Sequence, residues 1–266
     1  MHTFKLYLEF IKIRIVSHIE YRKMFLFWFF AQWIAYGVQL LLIWVMVHRF
    51  QDIQGWKPFE VVLLYALSLN SYALAGFFFY NPCTQLSHLV RTGEFDEILT
   101  RPLNPFLYLV SREFNFGYIT HVVLAVPVTV VSFVMLDIPF TFTNILMLLL
   151  ILIGGALIQG AVFLFTSVPA FWIVDSNGMQ NVLFQFRDFA NYPLSIYHKS
   201  IQILLTFVIP FAFINFYPAQ FFLGKQDFSV FHPAFQFMTP LVGLVMFALA
   251  LWFWHFGINR YKSTGS

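Results

Sequence analysis

Residues 144–174 read NILMLLLILIGGALIQGAVFLFTSVPAFWIV, thirty-one positions without one Asp, Glu, Lys, Arg or His. About 20 apolar residues in a helix cross roughly 30 Å of hydrocarbon at about 1.5 Å per residue. This run therefore spans a membrane with length to spare, and Pro169 marks a bend or an end near its far side. A barrel strand is excluded, because such strands are roughly ten residues long and alternate in polarity. Inside the run, Gly154, Gly155, Ala156, Gly160 and Ala161 offer small faces on which a second helix can pack closely. Their spacing is not that of a phosphate-binding loop.

Five more runs of the same kind flank it, near residues 24–47, 59–79, 114–136, 201–223 and 234–256. The chain has 266 residues, 60% hydrophobic and 10% charged, where a soluble chain carries about 25% charged residues. Too little charge remains to cover a water-facing surface. The fold class expected is an all-α integral membrane protein with six transmembrane helices in one domain. Residues 1–22 form an interfacial helix, 24–256 the bundle and 257–266 a cytoplasmic tail. Pro210 and Pro218 predict that the fifth span is broken rather than a straight rod. In the N-terminal segment Leu8, Ile11, Ile15 and Ile19 share a helical face that can lie on the inner leaflet, with its cations toward anionic headgroups. A basic tail that merely fixes topology is the plainer alternative. The first apolar run has no small-residue cleavage site behind it, so it reads as a retained span and not as a signal peptide.

Lys and Arg accumulate in cytoplasmic connections. With the N-terminus inside, Lys5, Lys12, Arg14, Arg22, Lys23, Arg91, Arg101, Arg112, Arg187, Lys199, Arg260 and Lys262 fall on inner segments. Only Arg49, Lys57 and Lys225 fall outside. Both termini are expected in the cytoplasm, and the net charge of +3 is accounted for by topology, without nucleic acid as a partner. Cys83 is the single cysteine, which excludes an internal disulfide and any multi-cysteine metal site.

Motifs that would carry chemistry are absent. There is no G-x-x-x-x-G-K-[ST] loop, no H-E-x-x-H pair and no G-x-S-x-G elbow. No catalytic, cofactor or metal residue is expected on this chain. No charge is read at mid-depth in the six spans, which argues against a carrier coupled to an ion gradient through a buried carboxylate. His121 lies well inside a span and reads as hydrogen-bonded to a neighbouring helix. Of the polar span residues, Gln32, Gln39, Asn70 and Gln159 are the candidates for a substrate path. The alternative for such amides is to join helices, with bonds worth about 1 kcal/mol or less.

The inner connection from Leu86 to Pro105 has helix grammar. Leu86, Leu89 and Val90 repeat at helical spacing, Gly93 ends that helix, and Asp96 to Thr100 begin another that Pro102 stops. Arg91, Glu94, Asp96, Glu97 and Arg101 form a mixed-charge surface, either an ordinary solvated hairpin or a docking site for a soluble partner. Gly93-Glu-Phe-Asp-Glu-Ile-Leu-Thr-Arg-Pro-Leu-Asn-Pro105 resembles the G-x-[LF]-D-x-x-L-x-[RK]-P-x-N-P segment of permease subunits in the ABC-2 family of ATP-binding-cassette exporters. Phe189-Ala-Asn-Tyr-Pro-Leu-Ser-Ile-Tyr197 resembles the inner segment before their fifth span. Ile209-Pro-Phe-Ala-Phe-Ile-Asn-Phe-Tyr-Pro218 resembles their proline-rich outer stretch, and residues 253–266 their basic, tyrosine-containing close. Ile258-Asn259 departs from the pattern, where a more basic pair is common.

The resemblance implies a permease subunit in the plasma (inner) membrane that forms half of a pathway for outward transport of an amphipathic or hydrophobic molecule. It implies separate ABC ATPase subunits, which hold ATP and Mg, and a second permease, identical or related. It places the ATPase-coupling surface on Arg91, Glu94, Asp96, Glu97, Arg101 and Pro102. A gradient-driven carrier or channel, or a membrane scaffold that transports nothing, is the alternative.

Overall fold

The computed structural model describes residues 2–50, 54–173, 177–225 and 232–263. Val174, the last residue expected in the fourth span, and tail residues 264–266 lie outside them. Among the described residues the protein is all-helical. Helix α1 (His2–Glu20) joins α2 (Arg22–Phe50) at Tyr21. Then α3 (Pro58–Ala75) runs through a π-turn, Gly76–Tyr80, straight into α4 (Asn81–Thr92), making one 35-residue rod. Two short helices follow, α5 (Glu94–Thr100) and α6 (Pro105–Arg112), before α7 (Ile119–Met135). The long apolar run forms α8 (Phe142–Ser167) and, beyond Pro169, α9 (Ala170–Ile173). After α10 (Asn177–Phe189) come α11 (Lys199–Ile203), α12 (Phe216–Leu223) and α13 (Thr239–Arg260). Among the described residues five helical stretches are long and apolar enough to cross a membrane, and Lys199–Val208 with Phe211–Leu223, bent by 76°, makes a sixth candidate.

The Pro58–Thr92 rod is the centre of the molecule: 83% of its most apolar window is buried, against 6% for α2. Its neighbours are tied to it by polar bonds, a consequence of having no water in the bilayer to satisfy polar groups. The Tyr65 hydroxyl donates to the Tyr36 carbonyl of α2 at 3.0 Å. Asn70 Nδ2 donates to Thr129 Oγ1 of α7 at 2.9 Å, and Gln159 Nε2 of α8 donates to the Ser68 carbonyl at 3.2 Å. Gln180 Nε2 of α10 reaches the Cys83 carbonyl at 2.9 Å, and Asn215 Nδ2 the Leu64 carbonyl at 3.2 Å. Each carbonyl has a second lone pair to give, so the helix's own ladder survives.

Helices α8 and α13 share the most extensive contact in the bundle. They are parallel: Gly154 meets Thr239 and Pro240, Phe165 meets Phe253, and Phe171 meets Gly257. The small residues of α8 do what their size suggests. A Cβ on Gly154 would sit 2.7 Å from the Thr239 carbonyl oxygen, and one on Gly160 2.6 Å from the Phe79 ring.

Two parallel spans require a return crossing between them, and the structure divides it. Gln180 lies at Cys83 and Arg187 at Tyr72, so α10 climbs the lower part of the rod. Asn215 lies at Leu64 and Lys225 at Glu60, so the bent α11–α12 pair covers its upper end. The fifth crossing is therefore not made by residues 201–223 alone. Arg187, expected on an inner segment, packs on Tyr72 near the middle of the Pro58–Thr92 rod. Lys199, which opens α11 at the upper end, leaves the inner set with it, and ten Lys and Arg then remain inside against four outside. The expectation that no charge lies at depth is corrected: Asn177–Phe189 is too polar to be recognised as a crossing, yet that is where the chain puts Arg187 and Asp188. The sixth span starts at Thr239 rather than 234, after a 3₁₀ turn at Pro233–Phe237.

Replacing Gly243, whose Cα faces the Gly154 backbone, by Val should destabilise the protein by about 1–3 kcal/mol through overpacking. Gly37→Ala, where a Cβ meets nothing within 4 Å, should be neutral or stabilising by about 0.5–1 kcal/mol. Thermal aggregation of the detergent-solubilised protein, followed by size exclusion, checks both.

Candidate functional site

One end of the bundle gathers α1, α5, α6 and the end of α13 into a platform. Its geometry begins at Gly93, which adopts φ 78° and closes α4 by donating to the Val90 carbonyl. That left-handed conformation is cheap only for glycine, and it lets the chain turn at once into α5. Acidic residues Glu94, Asp96 and Glu97 fill the first turn of α5, where the helix dipole favours them. Phe95 and Ile98 are fully buried. The Phe95 ring lies 5.0 Å from Phe171 and 5.2 Å from Tyr261, centroid to centroid. Pegged this way into α9 and the end of α13, the helix shows its other side to solvent: Arg91, Glu94, Glu97, Leu99 and Thr100 are exposed, followed by Arg101 and Pro102.

These charges are not scattered. Glu97 pairs with Arg101, whose hydrogen bond and charge hold the carboxyl below the usual range. Arg112 reaches Glu94 at 3.8 Å and Glu113 at 3.2 Å. Glu113, whose side chain is only 5% exposed, also receives Arg14 Nη2 of α1 at 3.0 Å. Arg14 was expected to face lipid headgroups; it is instead held by the Glu113 carboxylate and the Arg112 carbonyl. Asp96 accepts from Ser263 Oγ, which brings the tail onto the same surface. The backbone N–H of Asn104 donates to the Tyr7 hydroxyl at 3.2 Å, and the Phe10 ring meets Tyr108 at 5.3 Å. Helix α1 thus holds the platform through Tyr7, Phe10 and Arg14, while Leu8 and Ile19 of the expected lipid face remain exposed and Ile11 and Ile15 are half-buried. Aromatic partners at i and i+3 outweigh an aliphatic face when rings are there to receive them.

A family model described as an ABC-2 family transporter protein matches residues 33–265. The chain belongs to the ABC-2 transporter family. No curated protein matches it. What this ABC-2 chain carries beyond its family membership has to be read from its own residues.

The four amides expected on a substrate path separate into two kinds. Asn70 and Gln159 are buried in the joins with α7 and α8 already described, and neither lines the cleft between α1–α2 and α7. Gln32 does line that cleft, between α1–α2 and α7, whereas Gln39 lines a very small cavity beside Arg187 and Asn191. Seven residues put them on one face of α2, but α3 and α10 partition the space behind that face. His121 sits among rings, 4.6 Å from Tyr36 and 4.8 Å from Tyr118, with Nδ1 3.2 Å from Thr120 Oγ1.

The residues missed from sequence lie on α10. Arg187 rests 4.1 Å from the Tyr72 ring centre, a contact worth about 2 kcal/mol when desolvated. Away from Tyr72 on the same helix, Asn181, Gln185 and Asp188 are exposed at i, i+4 and i+7, and Asp188 pairs with Arg187 at 3.8 Å. The signal was present as amphipathic spacing, but it was masked because polar content marked the segment as a loop.

Glu113→Ala should cost about 2–3 kcal/mol, below the roughly 3–5 typical of a broken buried pair because Arg14 is 41% exposed. A thermal melt of the purified protein checks it, with Glu9→Ala, at an exposed pair, expected to change nothing measurable.

Proposed function

We propose that this chain is the permease subunit of an ATP-driven exporter and provides half of a transmembrane pathway, with hydrolysis on separate ATPase subunits that dock on the α4–α5–α6 platform. The observation that carries this is the pairing of buried pegs with exposed charges on one short helix. A solvated hairpin has no reason to sink Phe95 and Ile98 among Phe171, Trp254 and Tyr261. A lever does, because a push on its outer face then moves α9 and α13 directly. Through Arg112 and Glu113 the same push reaches α1. Charge distribution supports a cytoplasmic position for this end, with the tail beside it, in a plasma (inner) membrane. ATP and its Mg then belong to the partner.

The exposed Asn181, Gln185 and Asp188 stripe supports the other half of the reading. Lipid would not accept two amides and a carboxylate on a helix that lies beside Tyr72 and Cys83. That face of α10 meets water or a second permease, identical or related, that completes the pathway. Arg187 and Asp188 remove the argument that no ionisable group lies at depth, so against a gradient-driven carrier the reading rests on family membership and on the platform.

Reversing the platform charges with Glu94→Lys and Glu97→Lys together should lower ATPase co-purification and ATP hydrolysis by the complex by about tenfold or more, as charge clashes across an interface do. Unchanged assembly and hydrolysis would sink the docking assignment. On a Cys83→Ser background, Gln185→Cys should react with a charged, membrane-impermeant thiol reagent in open membrane fragments, whereas Leu244→Cys, on the exposed apolar face of α13, should not.

A further inference from the structure

A cleft of about 550 Å³ opens between α1–α2 and the start of α7, with Tyr72 and Tyr80 at its back. Sites for small molecules run from roughly 300 to 1,000 Å³, so the space suits a head group with part of a chain. Its wall has two characters. Toward α2, Met24, Phe25, Trp28 and Phe29 present apolar edges, and Met24 and Trp28 are exposed. Toward the back, the Tyr72 and Tyr118 hydroxyls pair at 3.3 Å, with the Gln32 amide and His121 nearby. Among the described residues no Asp, Glu, Lys or Arg lines it. Arg187, a part-buried cation, touches Tyr72 but lines the separate small cavity on the far side of Tyr36 and Tyr72.

The back wall is built. The Tyr118 ring lies where a Cβ on Gly76 would be, so the glycine at the start of the π-turn is what seats that ring against the rod. The front wall is lightly held, since α2 buries so little of itself. A rigid, neutral, hydrogen-bonding back and a loose apolar front suit a molecule that enters sideways from the bilayer. An anionic headgroup would find no Lys or Arg here, and His18 commits its Nδ1 to the Arg14 carbonyl, so burying that charge would be costly. A cationic one would find no carboxylate.

We propose that this cleft, within a single subunit, binds an uncharged amphiphile with a hydroxylated head: the head on Gln32, Tyr72 and Tyr118, the chain toward Phe25 and Trp28. That the bound molecule is cargo rests on the exporter reading; that it binds does not. The test uses membranes containing the assembled complex, without ATP, and two photoactivatable lipids with a diazirine in the chain at equal mole fraction, a monoglycosyl diacylglycerol and a phosphatidylglycerol. Labelled residues are mapped by mass spectrometry. The neutral lipid should label the Phe25–Gln32 and Tyr118–His121 segments about tenfold more than the charged one. Tyr118→Phe, which keeps the ring, and Gln32→Ala should each lower that labelling several-fold while the ATPase still co-purifies. Equal labelling by both lipids, labelling confined to the outer faces of α8 and α13, or indifference to both variants would overturn the proposal. If the cleft stays unlabelled while the complex assembles and hydrolyses ATP, the exporter reading stands without it. If the cleft is labelled but no ATPase is ever found with the chain, the exporter reading fails and the lipid site stands.

Discussion

Hydrocarbon offers no hydrogen bonds, and that single constraint explains why the protein is organised around the Pro58–Thr92 rod. Side chains that must find a partner inside the bilayer find it on this rod or spend it there. Tyr65 holds α2, Asn70 holds α7, Gln159 holds α8, Gln180 and Arg187 hold α10, and Asn215 holds the turn before α12. At the upper end Lys225 closes on Glu60 and on the Gly55 carbonyl while stacking on Trp56. Interhelical hydrogen bonds of this kind average about 0.6 kcal/mol. They are too weak to hold the bundle against separation, which close packing at contacts such as Gly154 with Gly243 does better. Their effect is on register, because a helix that slides loses its bond and gains an unsatisfied polar group.

Firmly and loosely held parts follow from the same logic. The rod, α7, α8 and α13 interlock through small residues and rings. Helix α2 touches them sparingly, and α10 gives one side to Tyr72 and Tyr80 and leaves the other open. A push delivered at α5 would therefore travel through Phe95 into α9 and α13, and through Glu113 into α1, before it reached the loosely held α2. The α2 wall of the cleft and the open stripe of α10 thus lie on the loosely held elements, whereas the platform is pegged to α9 and the end of α13.

Much of the fold was legible because membrane insertion is a one-dimensional filter. Runs of apolar residues reported five spans nearly in place, Gly93 reported the break between α4 and α5, and Pro210 reported a bent pair. The filter fails for Asn177–Phe189. Hydropathy averages over a helix and sees four amides, an arginine and an aspartate; it cannot see that Arg187 will be desolvated by a tyrosine ring from a residue 115 positions earlier. It fails in the same way for Arg14, whose partner Glu113 belongs to a distant turn. Asn70 and Gln32 look alike in sequence, and only their neighbours make one a fastener and the other part of a cleft wall.

By itself, the sequence determined the solvent, the helical class, five of the spans and the end at which positive charge collects, since each depends on the polarity of consecutive residues. It also marked the short helix after Gly93 as distinctive. Tertiary structure alone decided which polar residues are paired, which helix completes the fifth crossing, and where a cleft opens. Those outcomes depend on distances between residues far apart in the chain, and in a medium without water a polar group's role is set by what lies within about 3 Å of it.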